Sequence, residues 1–120
     1  MKTVSQILSE TNEATWKEAE HFPSPLAALS YQDLSHVTRG ISTECGEIVD
    51  AVKRHLDYDQ YLDIENLEEE IGDLLYYVNK LATMYGITLE SAAASNQSKL
   101  RVRYPDGFSV KSAVERADKQ

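Results

Sequence analysis

Two stretches of the chain, residues 37–56 and 64–85, repeat apolar side chains at steps of three and four, and carboxylates interrupt both repeats. In the first, Val37, Ile41, Glu44, Ile48, Val49, Val52 and Leu56 share a helical face. In the second, Ile64, Leu67, Ile71, Leu74, Leu75, Val78, Leu81, Ala82 and Tyr85 form a broad apolar face. A period near 3.6 belongs to a helix and not to a strand. No stretch alternates in the β manner with β-branched enrichment, so the chain is expected to be all-α. The polar and aromatic connection over 58–65 is short, which favours antiparallel neighbours in a helical bundle.

The interruptions are paired. Glu44-x-x-Glu47 sits in the first repeat and Glu70-x-x-Asp73 in the second. Positions three apart share a helix face, so each pair presents two carboxylates together. Carboxylates on an apolar face are costly to bury without a partner. Four of them brought together repel one another and gain proton affinity unless a counter-charge arrives. Mg²⁺ supplies that charge, takes oxygen ligands, keeps waters and bridges substrate phosphates. One such pair alone is the ordinary composition of a solvated helix face, and Glu68 in the Glu68-Glu69-Glu70 run reads that way. With two pairs on consecutive helices, a metal site and a solvated face stand about level on the residues alone.

Further helices are expected over 3–20, 26–57, 64–85, 88–103 and 109–118. Thr3, Asp63, Thr88 and Ser109 are placed to cap them, and Gly86 to stop the third. The start of the second, up to Gly40, reads either as a shorter helix or as an irregular lead-in. Gly40 and Gly46 each weaken the helix by about 1 kcal/mol relative to Ala, for which close helix packing is the plain reason. Pro23 and Pro25 mark a connection after the first helix, which carries Trp16. Tyr104-Pro105-Asp106-Gly107 is a turn.

With 120 residues the chain makes one domain. A formal charge of -8 disfavours duplex nucleic acid and anionic membrane, while a metal site can reverse the sign locally for a small phosphate ligand. Cys45, the one cysteine, rules out an internal disulfide, reads as buried packing, and fits an intracellular, cytoplasmic setting. No run approaches the roughly 20 apolar residues of a membrane span. His21, His36 and His55 are scattered and read as surface or cap residues. No nucleophile elbow and no Gly-rich phosphate loop is present. Positive charge for an anion is offered by Lys53, Lys99 and Arg103, and Asn96 joins the last two in one polar stripe of the fourth helix. The same two cations also suit a helix C-terminus without any ligand.

These segments resemble the MazG-like nucleotide pyrophosphohydrolase family, in the all-α NTP pyrophosphatase group. ECGEIVDAVK is similar to the family's first metal-binding half and EEIGDLLYYV to the second, and NQSKLRVRYPDGFS is similar to the close of the domain. The resemblance runs from about Leu29 to Ser109. It implies a single MazG-like domain over 1–120, with an N-terminal helix and linker over 1–25 and a C-terminal helix or tail over 109–120. It implies hydrolysis of nucleoside triphosphates to the monophosphate and pyrophosphate, with Mg²⁺ as cofactor and Mn²⁺ as a substitute. Metal ligands carry over to Glu44, Glu47, Glu70 and Asp73, and phosphate or nucleotide contacts to Lys53, Tyr77, Asn96, Lys99 and Arg103. Glu47 or Glu69 would orient or deprotonate the attacking water. A homodimer or dimer-based tetramer is implied as well. The other readings are a metal-dependent hydrolase of another phosphorylated small molecule and a non-catalytic acidic helical interaction module.

Overall fold

The computed structural model describes residues 1–15 and 31–120. Five α-helices and no strand occur among them: α1 Val4–Thr15, α2 Tyr31–Asp57, α3 Ile64–Met84, α4 Leu89–Arg103 and α5 Val110–Glu115, followed by a 3-10 turn at Ala117–Lys119. They fall into two compact units, Met1–Gly86 and Ile87–Gln120. Trp16, His21, the Pro23–Pro25 connection and the expected helix over 26–30 lie outside the described residues.

The helix boundaries follow from local chemistry. At α1, Thr3 and Gln6 cap reciprocally: the Gln6 N–H donates to Thr3 Oγ1 at 3.1 Å and the Thr3 N–H to Gln6 Oε1 at 2.8 Å. Asp63, Thr88 and Ser109 each accept the backbone N–H three residues on, at 3.0 Å, and so start α3, α4 and α5. Gly86, at φ 70°, ends the α3 segment, and Gly107, at φ 89°, closes the turn after α4. The last helix is shorter than 109–118, because Arg116 turns left-handed at φ 50° and stops it at Glu115.

In the first unit α3 packs against both α2 and α1. Helix α2 runs unbroken through Gly40, so no irregular lead-in forms there. The reason is visible at Gly40 itself, where a Cβ would come within 2.6 Å of the Tyr77 ring of α3. Gly46 is different: nothing lies within 4 Å of its missing Cβ, so close packing does not account for it among the described residues. Cys45 is exposed and not the buried packing residue the sequence suggested; it sits about 100° around α2 from Glu44 and no described element covers it.

Polar groups fasten α1 to α3. Asn79 and Asn12 are both buried, and Asn79 Nδ2 donates to Asn12 Oδ1 at 2.7 Å. The Thr15 and Tyr76 hydroxyls share a hydrogen bond at the other end of the contact. Such pairs fix register, because a slip would leave buried amides without partners.

Among the described residues the apolar core is thin: Val37 and Met84 are the buried hydrophobic ones, while Val49 and Leu56 of α2 and Ile64, Ile71 and Leu75 of α3 remain exposed. The stripes read from the sequence therefore exist as helical faces but are only partly covered. In the second unit α4 has no apolar stripe, and all its residues between Leu89 and Arg103 are exposed.

Candidate metal centre

Glu70 and Asp73 lie one turn apart on α3, and α2 packs alongside with Glu44. One carboxylate oxygen from each of the three comes within 4.8 Å of the other two. Glu44 and Glu70 are half-buried and Asp73 is exposed, so the cluster is backed by protein and open to solvent on one side. Partial burial pushes the Glu44 carboxyl above its usual 4.5; a hydrogen bond with Glu70 adds to this, as do the charges of Asp73, Glu70 and Glu47. Three carboxylates this close repel one another, and a divalent cation between them would relieve that repulsion.

The donor chemistry fits a hard ion. All three ligand groups are carboxylates, with no sulfur and no imidazole among them, which suits Mg²⁺ or Mn²⁺ and not Zn²⁺. Three protein ligands leave positions for water and phosphate oxygens.

The fourth carboxylate of the sequence motif stands apart from these three. Glu47 is exposed, lies outside the cluster, and lines a cavity of about 730 Å³ together with Asp50, Arg54, Tyr61, Asp63 and Asn66. Its influence on the cluster is by charge, through Glu44. Glu69 is exposed and about 100° around α3 from Glu70, and it lines none of the described cavities. Glu68 is exposed, as a solvated face requires.

Tyr77, one turn beyond Asp73, lies over Gly40 of α2. The Tyr76 ring meets it edge-on at 5.2 Å between centroids, and the His36 ring is tilted against it at 6.0 Å. Burial first, then the nearby charge of Glu44, pushes the Tyr77 phenol above its usual 10. It is therefore a protonated donor at neutral pH, packed on a helix and beside the cluster at once.

Of the cations expected from the sequence, Lys53 shares the first unit with the cluster but not its face of α2. Lys53 is nine residues from Glu44, about 180° around α2. It lies 5.6 Å from the Tyr58 ring centroid and lines an apolar hollow with Val49, Val52 and Leu56. In the second unit, α4 does place Asn96, Lys99 and Arg103 on one face. The Arg103 fork is already occupied: Nε and Nη2 donate to the two oxygens of Asp118 at 2.6 and 2.9 Å. That bond holds the Asp118 carboxyl below its usual 3.8. Lys99 is exposed.

Sequence reasoning missed several residues that matter locally. Asp118 sat in a tail with no motif. Gln32, His36, Arg39 and Thr43 recur at helical spacing on a polar side of α2 and line a cavity of about 470 Å³ that reaches Tyr77; their spacing was the available signal. Lys80 is buried on α3, where burial pushes its ammonium below the usual 10.5 and Asp33 works against that.

Comparison with known proteins adds three findings. The MazG nucleotide pyrophosphohydrolase domain matches residues 32–108, a span reaching from α2 to the turn after α4. The chain is 38% identical over 82 residues to the "Gene 37 protein" of Mycobacterium phage L5, covering 65% of this chain and 72% of that protein. That name states no activity. No solved structure matches.

Proposed function

The chain belongs to the MazG nucleotide pyrophosphohydrolase family, and from that premise we propose that it hydrolyses nucleoside triphosphates, with Mg²⁺, to the monophosphate and pyrophosphate. The observation that carries this reading is the convergence of Glu44, Glu70 and Asp73 from two packed helices, with carboxylate oxygens within 4.8 Å. Mn²⁺ is the expected substitute, since the donors are all oxygen.

Glu44, Glu70 and Asp73 would hold the ion. When bound, it neutralises phosphate charge and polarises the phosphoryl oxygens. Glu47 has the position of a base: a carboxylate beside the cluster, exposed on the cavity of about 730 Å³, and outside the three ligands. It accepts the proton of a water whose oxygen attacks the α-phosphorus. The bond from that phosphorus to the bridging oxygen breaks, and pyrophosphate leaves with the electron pair. Glu69, exposed and outside the cavities, is the weaker candidate for the same role. Tyr77 donates its phenol hydrogen to a phosphoryl oxygen. Asn96, Lys99 and Arg103 of the second unit are assigned to phosphate by the family resemblance alone, and the Arg103 guanidinium is engaged by Asp118.

Lys53 lies on the exposed apolar side of α2, which an assembled oligomer would cover. The exposed Val49, Leu56, Ile64, Ile71 and Leu75 are the reason to expect a homodimer or a tetramer built from dimers. Light scattering on the eluting protein tests this, and a monomer at working concentration contradicts it. Among the described residues no helix is long and apolar enough to cross a membrane.

The reaction is tested with a panel of triphosphates and Mg²⁺, following pyrophosphate release in the wild type, Glu47→Gln and Asp73→Asn. Loss of at least about 100-fold in turnover is expected of each variant. Metal binding should weaken in Asp73→Asn and persist in Glu47→Gln. Full activity in both variants would remove the site from the reaction, and turnover confined to other phosphorylated compounds would reassign the substrate.

A further inference from the structure

Two cavities flank the carboxylate cluster along α2, and their charges are opposite in kind. Residues 32, 36, 39 and 43 follow one another at steps of four, three and four, so they share one face of α2. That face continues to Glu47, Asp50 and Arg54. Toward the start of α2 the lining is Gln32, Ser35, His36, Arg39, Thr43 and the Tyr77 ring, around about 470 Å³. Toward its end the lining includes Glu47, Asp50, Asp59 and Asp63, around about 730 Å³. The cluster lies between, since Thr43 immediately precedes Glu44 and Glu47 follows one turn later.

The acidic cavity repels a polyanion. Its cation, Arg54, is committed to Asp50 at 2.7 Å. The other cavity has no carboxylate among its described lining residues, in a chain with 20 acidic and 12 basic residues. Its guanidinium, Arg39, is exposed and makes no ion pair among the described residues. Gln32 and Ser35 add neutral polar groups at the same wall. Thr43 contributes little as a donor, because its hydroxyl already donates to the Gly40 carbonyl at 3.0 Å.

We propose that the Arg39 cavity receives the β,γ-phosphoryl end of the substrate and retains the pyrophosphate product, with Arg39 as its principal anion contact. The inference rests on the reading of Glu44, Glu70 and Asp73 as a nucleotide site. The scission divides the substrate into a highly charged pyrophosphate and a less charged nucleoside monophosphate. The more charged part goes to the side where Arg39 makes no ion pair among the described residues and no carboxylate is among the described lining residues. A guanidinium grips phosphoryl oxygens through two parallel N–H donors, which an ammonium does not reproduce. The nucleoside end then lies toward Tyr61 and Asn66, where the charge left to screen is smaller.

The test is a calorimetric titration of inorganic pyrophosphate, at fixed Mg²⁺, into the wild type, Arg39→Gln, Arg39→Lys and Arg54→Gln. Circular dichroism of each variant checks its fold, and Arg39 is exposed enough to be replaced without unfolding. Arg39→Gln is expected to bind pyrophosphate about tenfold more weakly or worse, the scale of one lost charge-assisted contact. Arg39→Lys should fall between it and the wild type, and Arg54→Gln should bind as the wild type does. Nucleoside monophosphate binding should change less than about twofold in Arg39→Gln. Equal pyrophosphate affinity in wild type and Arg39→Gln overturns the proposal, as does no pyrophosphate binding to the wild type, or loss in Arg54→Gln instead. Pyrophosphate binding that depends on Arg39 in a protein that cleaves no triphosphate would keep the cavity and discard the reaction. Cleavage between α and β phosphorus with pyrophosphate binding indifferent to Arg39 would do the reverse.

Discussion

Replacing Gly40 with alanine sets two effects of opposite sign against each other. An exposed helical Gly→Ala change stabilises by about 1 kcal/mol through backbone entropy. At Gly40 the new methyl would meet Tyr77 Cδ1 and Cε1 at 2.6 Å and Cγ at 2.7 Å. Ordinary carbon contacts lie near 3.5–4.0 Å, so the ring must withdraw by about 1 Å. Rotation about the ring axis gives no relief, because Cγ lies on that axis. Withdrawal is resisted by the edge-on Tyr76 ring at 5.2 Å and the His36 ring at 6.0 Å. Overpacking of this kind costs about 1–3 kcal/mol. Gly46→Ala, with nothing within 4 Å of the new methyl, keeps the entropic gain without the clash. The propensity contribution cancels in the comparison, so Gly40→Ala should be less stable than Gly46→Ala by about 1–3 kcal/mol. Urea unfolding followed by far-UV circular dichroism, at one protein concentration, measures it. Equal stabilisation by the two substitutions would refute the contact between Tyr77 and α2 at Gly40.

Asn79→Ala should cost about 1–3 kcal/mol, because it leaves the buried Asn12 side chain without its donor. In a thermodynamic cycle with Asn12→Ala, the double variant should lose less than the sum of the single losses, and simple additivity would deny the pair. The Glu44 carboxyl gives a pH prediction. Its folded pKa lies above 4.5, so its contribution to stability is full below 4.5 and declines as pH rises through the folded value. Without metal, Glu44→Gln should therefore gain stability relative to the wild type as pH rises from 4.5; urea midpoints in chelator at a series of pH values read this, and parallel pH profiles would contradict it. Asp118 runs the other way, its pKa being lowered by Arg103: its contribution is present above 3.8 and lost as pH falls. Asp118→Asn should accelerate amide exchange in the last turn of α4 and over 117–119, and unchanged exchange there would show that the pair does not hold the tail.

The sequence carried most of the helical order, for identifiable reasons. Periodicity placed α2 and α3, and the caps at Asp63, Thr88 and Ser109 are side-chain to backbone contacts three residues long, legible without tertiary structure. The carboxylate pairs lie on α2 and α3, whose packing brings three of the four together. Spacing alone did not separate Glu47 from Glu44, because residues three apart differ by 60° around a helix, enough to move one carboxylate out of a cluster. Cys45 was misjudged because the stripe around it is only partly covered in one chain. Lys53 and Arg103 were offered as cations from charge and spacing. What they face depends on helix rotation for Lys53, and on a residue 15 positions away for Arg103. Arg39 escaped notice because an isolated arginine acquires meaning only from the acid-free cavity around it.

The account stands or falls on whether the Glu44, Glu70 and Asp73 carboxylates hold an ion that serves cleavage between the α and β phosphorus atoms. Phosphorus NMR of one triphosphate incubation measures this directly, run with Mg²⁺, with chelator, and with Glu70→Gln in place of the wild type. The predicted spectrum shows monophosphate and pyrophosphate in equal amounts with Mg²⁺, and unchanged triphosphate in the other two tubes. Diphosphate with orthophosphate, or turnover that persists in chelator or in Glu70→Gln, would contradict it.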